Sequence, residues 1–113
     1  MKLKDIVGKL PCSVRTGEDR LDTPVTGGYA CDLLSDVIAH GKPGDVWVTM
    51  HVHENIVAVA VLKELAAIVI VQGRQPAPET LAKAAKEHVA ILVSELPAFE
   101  TIGALHALLQ DGG

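Results

Sequence analysis

Two runs of the chain, 67–71 and 89–93, are apolar without a break. A strand with one wet face alternates apolar and polar residues. Ala67, Ile68, Val69, Ile70 and Val71 do not alternate, and neither do Val89, Ala90, Ile91, Leu92 and Val93. Strands of this kind belong to a sheet covered on both faces, and such sheets are mainly parallel. A third stretch, 46–50, is rich in β-branched and large residues and reads the same way. Parallel neighbours need a crossover of about a dozen residues or more, and 51–66 meets that need. The prediction is an α/β domain in three layers, a mainly parallel sheet flanked by helices. At 113 residues the chain has room for one such domain, placed at 1–110, with 111–113 expected to fray.

The remaining elements follow from spacing. Leu3, Ile6, Val7 and Leu10 recur at helical intervals and predict a first helix over 3–10. Short strands are expected at 12–15 and 29–32. Leu33, Leu34, Val37 and Ile38 form one helical stripe over 33–39. The segment 56–65 is apolar enough for a buried strand. Asn55 is a good N-cap, however, and Lys63 and Glu64 end the pattern, so a buried helix is expected. The stretch 77–88 is amphipathic, with Pro78 in its first turn, where a missing N–H costs nothing. Pro97 opens a last helix over 98–109.

Charge and composition exclude several functions. Ten Lys and Arg against 14 Asp and Glu give a net charge of -4. That balance argues against nucleic acid, which needs a clustered basic surface, and against an anionic membrane. Tyr29, Trp47 and Phe99 are the only aromatics, too few for a base-stacking platform. The longest apolar run, 56–71, is broken by Lys63 and Glu64 and falls short of the roughly 20 residues that cross a bilayer. No signal-peptide core is present at the N-terminus. Cys12 and Cys31 are too few for a disulfide scaffold and read as two buried thiols in a reducing cytoplasm.

In an open parallel sheet, ligands bind outside the carboxyl ends of the strands. The turns after 46–50, 67–71 and 89–93 hold His51, His53, Glu54 and Asn55, then Gly73 and Arg74, then Ser94 and Glu95. If those strands are parallel, these residues share one edge and can converge on a small anion. Asn55 and Ser94 also suit plain helix caps, and Gly73 a plain turn. His51 and His53 stand at i and i+2, which in extended chain gives two metal ligands on one face. No second cluster supplies a third, so no metal is expected. Thr26, Gly27 and Gly28 form a turn whose free N–H groups suit an anion, or a tight packing contact. Asp32 and Asp36, four apart, read as one solvated helix face. No nucleophile elbow, HExxH motif or Cys–His pair is present, and no catalytic residue is expected.

These residues resemble a known family. The stretch 21–36, LDTPVTGGYACDLLSD, is similar to the signature of DRTGG domains. The segments 44–49 (GDVWVT), 55–60 (NIVAVA) and 66–76 (AAIVIVQGRQP) continue the likeness over nearly the whole chain, as in a free-standing DRTGG protein. Asp22, Thr26, Gly27 and Gly28 match the letters of the name. Thr23 follows Asp22, so the arginine of the name has no counterpart. The resemblance implies a prokaryotic regulatory, dimer-forming module of the kind found beside CBS domains in regulated pyrophosphatases. It implies no reaction. Small relatives accompany redox genes, which implies a metabolic or redox enzyme partner. The expectation is a cytoplasmic, non-enzymatic homodimer with no resident cofactor. It would bind a small anionic metabolite or adenine nucleotide through Thr26, Gly27, Gly28, His51, His53, Asn55, Gly73, Arg74 and Ser94. The alternatives are a protein–protein adaptor without a ligand and a metal-binding protein using His51 and His53.

Overall fold

The computed structural model describes residues 1–112. The elements run α1 (Leu3–Lys9), β1 (Cys12–Thr16), a 3₁₀ turn (Glu18–Arg20), β2 (Gly27–Ala30), α2 (Leu34–His40), β3 (Asp45–Thr49), α3 (Asn55–Lys63), β4 (Ala67–Ile70), α4 (Pro78–Glu87), β5 (Ile91–Ser94) and α5 (Ala98–Gly112). One five-stranded sheet has the order β1-β5-β4-β3-β2. Strands β2 to β5 are mutually parallel, and β1 closes the far edge antiparallel to β5. This is the α/β domain with a mainly parallel sheet that the apolar runs predict.

Every residue of β3, β4 and β5 is buried, as the absence of alternation requires. One core lies under α1 and α5, where Leu3, Ile6, Leu10 and Leu105 meet Val46, Val48, Val69 and Leu92. The other lies under α2, α3 and α4, where Val37, Ile56, Val57 and Ala84 meet Trp47, Ile68, Ile70 and Ile91. Odd and even positions of each strand therefore feed opposite cores. Pro78 occupies the first turn of α4, as expected. Helices α3 and α4 both stop on a left-handed residue, Glu64 (φ 55°) and His88 (φ 57°). Helix α5 runs on through 111 and 112, and position 113 of the expected fraying tail lies outside the described residues.

Four sequence expectations are corrected. Strand β2 begins at Gly27, two residues earlier than read. The missing Cβ of Gly27 leaves room for the Asp45 carboxylate, whose Oδ1 would lie 2.7 Å from it. Asn55 does not cap α3 but opens it, and the residue before the helix is Glu54. The imidazole of His53 takes the Asn55 N–H instead (Nδ1, 3.1 Å). Asp32 and Asp36 do not share a solvated face: Asp32 precedes α2 and both carboxylates are engaged. The two cysteines are half-buried rather than buried. They lie at opposite edges of the sheet, Cys12 in β1 and Cys31 after β2.

Candidate functional site

Because β2 to β5 are parallel, their carboxyl ends share one edge, and the chain leaves that edge at Cys31, Met50, Val71 and Glu95. A cleft of about 300 Å³ opens there, lined by Asp32, Met50, His51, Val52, His53 and Arg74. The structure thus brings His51, His53 and Arg74 together, as their positions after successive strands suggest.

Asp32 organises the cleft. Its Oδ1 accepts the Thr49 hydroxyl and the Met50 N–H, both at 2.8 Å. Its backbone carbonyl accepts Nε2–H of His51. Burial alone would raise the Asp32 carboxyl, but the Met50 N–H, the Thr49 hydroxyl and the nearby Arg74 charge outweigh it. The group is held below the ordinary carboxylate value. These contacts fix both tautomers. His51 carries its proton on Nε2, toward Asp32, and leaves Nδ1 free. His53 accepts at Nδ1 and so carries its proton on Nε2.

Arg74 is delivered by a tight turn. Its N–H bonds back to the Val71 carbonyl (3.2 Å), and the two residues between, Gln72 and Gly73, both have φ 62°. Glycine suits that conformation. A Cβ on Gly73 would also run into the Glu95 carboxylate. Gln72 tolerates it because the turn is anchored at 2.9 Å (Gln72 N–H to Leu96 O) and 2.8 Å (Gly73 N–H to Ser94 O). Arg74 is exposed and has no ion-pair partner among the described residues.

The other expected ligand residues lie elsewhere or are occupied. Thr26, Gly27 and Gly28 sit at the amino end of β2, on the edge opposite the cleft. There Thr26 Oγ1 donates to the Pro43 carbonyl (3.3 Å), and Gly28 lies beneath Leu105 and Leu109 of α5. That turn is a packing contact. Ser94 is fully buried, bonded to Thr101 Oγ1 (2.9 Å) and to the Leu96 N–H (3.2 Å). Asn55 is exposed at the start of α3. The sequence reading missed Asp32 and Met50. Their signal is the same one that exposed the histidines: each stands where a strand leaves the sheet.

A second polar chain steadies this corner. The Tyr29 hydroxyl donates to Asp36 Oδ2, and Asp36 Oδ1 lies 3.0 Å from His40 Nδ1. The Asp36 bond, with burial behind it, pushes Tyr29 up to about 12. Asp36 is held low, first by Tyr29 and then by Cys31 and His40. Among the described residues no three His, Cys, Asp or Glu side chains gather as a metal site.

The Asp32 clamp makes acid stability measurable. A carboxyl whose folded value is depressed contributes stability above its unfolded value, and that contribution is lost as pH falls through the folded value. Asp32→Ala should cost about 1–2 kcal/mol at pH 7, the lower range for charge-assisted bonds because Asp32 is solvent-exposed. The gap from wild type should close as pH drops below the usual carboxylate value. Urea midpoints at pH 7 and pH 3 check this; an equal gap at both would mean the charge is irrelevant.

The fold and this edge define a single-domain α/β protein with a polar cleft beyond its strand ends. No family model matches the sequence, and no curated protein matches it. A solved structure is similar: the crystal structure of the CBS and DRTGG domains of the regulatory region of Clostridium perfringens pyrophosphatase, complexed with its activator diadenosine tetraphosphate. The TM-score is 0.71 at 16% identity, over 96% of this chain. The match spans about half, 46%, of that chain. The chain therefore has a DRTGG-like fold. At this identity the likeness reaches the fold and stops there. Among the described residues, no helix is long and apolar enough to cross a membrane.

Proposed function

We propose that this protein is a non-catalytic regulatory module that senses a small phosphorylated metabolite in the carboxyl-edge cleft. The observation that carries the reading is the convergence of Arg74, His51 and His53 on one open cleft. The Arg74 guanidinium there makes no salt bridge among the described residues, although the Asp32 carboxylate shares the cleft. Guanidinium forks match phosphate geometry, and an imidazole N–H adds a further donor. No side chain in the cleft is an activated nucleophile, which favours sensing over catalysis. The similar structure comes from a regulatory region bound to a dinucleotide activator, which fits a sensing role. Titration calorimetry with inorganic pyrophosphate at low salt tests the reading. One-to-one binding that weakens as salt rises is expected, and no heat at millimolar ligand overturns it.

The module is further proposed to act as a homodimer paired through β2. The two edges of the sheet differ. Strand β1 carries Arg15 and a register shift between Val14 and Thr16, devices that protect an edge. Strand β2 is Gly-Gly-Tyr-Ala, with no charge, proline or bulge. The Cys31 N–H points to Val48 O (3.2 Å), so by alternation Gly28 and Ala30 turn theirs to the free edge. Ile38 on α2 and Phe99 on α5, 41% and 86% exposed, supply apolar surface on either side of the sheet. A second copy related by a twofold axis matches all three features at once. Light scattering should give twice the 11.9 kDa chain mass, and Phe99→Glu should return it to the monomer. A chain that stays monomeric at high micromolar concentration would refute the pairing.

A further inference from the structure

Beside the phosphate cleft runs a second depression of different character. It lies between α5 and the floor made by β2 and β3, with a volume of about 190 Å³. Its walls include Ala30, Val48, Met50, Val71, Ala98 and Ile102. It continues for about another 120 Å³ toward Gly28, Leu105 and Leu109. The trough and the cleft share two residues, Asp32 and Met50, so one opens into the other.

Three features give the trough a purpose. Small residues line it, Ala30 from β2 and Ala98 from α5, and these leave open what larger side chains would fill. Ile102 stands at its rim 38% exposed, although Leu105 one turn later is 3% exposed. At the junction, Asp32 spends Oδ1 on Thr49 and Met50, while Oδ2 has no protein hydrogen bond among the described residues. An ionised oxygen there repels phosphate but accepts a hydroxyl.

We infer that the ligand is a nucleoside phosphate. Its phosphates meet Arg74 and His53, its sugar hydroxyls meet Asp32 Oδ2, and its flat base lies in the trough against Val48 and Ile102. This rests on the reading of the cleft given above and adds the ligand's chemical class. An inorganic anion would use the cleft and leave the trough empty. Sites that pair an apolar body with a few placed polar groups are the usual form of small-molecule recognition.

Calorimetry with ADP and with pyrophosphate at equal ionic strength separates the possibilities. The wild type should bind ADP at least about tenfold more tightly than pyrophosphate, since burying a ring adds apolar area that pyrophosphate lacks. Ile102→Trp should fill the trough and bring ADP down to the pyrophosphate level, with pyrophosphate itself unchanged. Ala98→Leu repeats the block from a second position, and circular dichroism confirms that both variants fold. Equal affinity of the wild type for the two ligands, or loss of pyrophosphate binding along with ADP in both folded variants, overturns the inference and leaves the cleft standing. Failure of the wild type to bind either ligand overturns the cleft reading and this one together.

Discussion

Replacing Trp47 with alanine should cost this domain about 3–5 kcal/mol, the range for emptying a buried aromatic site. Trp47 is fully buried at the centre of β3, packed among Val37, Ile56 and Ile68. A hole there has rigid strands on both sides, since Trp47 is in register with Tyr29 of β2 and Ile68 of β4. Strands so pinned relax little, which keeps the cost high. The indole also donates from Nε1 to the Cys31 carbonyl at 2.8 Å. That bond ties the end of β2 to β3 one residue before Asp32. Trp47→Phe keeps most of the volume and loses the bond, so it should cost about 1–2 kcal/mol. Small domains hold only about 5–15 kcal/mol in all, so the alanine variant should be marginal at 37 °C. Urea unfolding followed by far-ultraviolet circular dichroism is the measurement, because Trp47 is the sole tryptophan and fluorescence goes with it. A loss below about 1 kcal/mol for alanine would mean that the site collapses freely.

The parts of this molecule legible in its sequence are those set by local pattern. Continuous apolar runs mark β4 and β5 because burial on both faces leaves no room for a polar residue. His51, His53 and Arg74 are legible for a related reason: each lies in the turn that follows a strand, and parallel strands deliver their ends to one edge. Thr26, Gly27 and Gly28 mislead because glycine reports freedom of the backbone and says nothing of direction. Their strand starts with them, so the same parallelism that gathers the histidines carries the glycines to the opposite edge. Ser94 stands at the carboxyl end of its strand, as the rule asks, but Thr101 of α5 reaches back to its buried hydroxyl. Asn55 is a good cap by type, yet His53 arrives first. In each case the deciding partner comes from the packed chain, and residue type at one position does not carry it.

Arg74→Ala should weaken pyrophosphate binding by about 10- to 100-fold, because a hydrogen bond to a charged group is worth about 1.5–3 kcal/mol. The turn beneath Arg74 sets the size of the effect. Gln72 holds a left-handed conformation that costs a non-glycine residue about 1 kcal/mol or more, and bonds to Leu96 and Ser94 keep it there. A backbone so fixed needs no loop ordering when the guanidinium grips a ligand, so that cost is not taken from affinity. Arg74→Lys keeps the charge and loses the two-pronged fit, and should fall between alanine and wild type. His53→Ala should weaken binding less, by about tenfold at most, since it removes one donor and leaves the guanidinium in place. It also takes the acceptor from the Asn55 N–H, so its unfolding midpoint should be measured beside its affinity. If Arg74→Ala and Arg74→Lys bind pyrophosphate as wild type does, the anion sits elsewhere. The free guanidinium is then surface charge only. If alanine fails, lysine is intermediate and the unfolding midpoints agree, the strain in the turn is explained: it holds one cation at the mouth of the cleft.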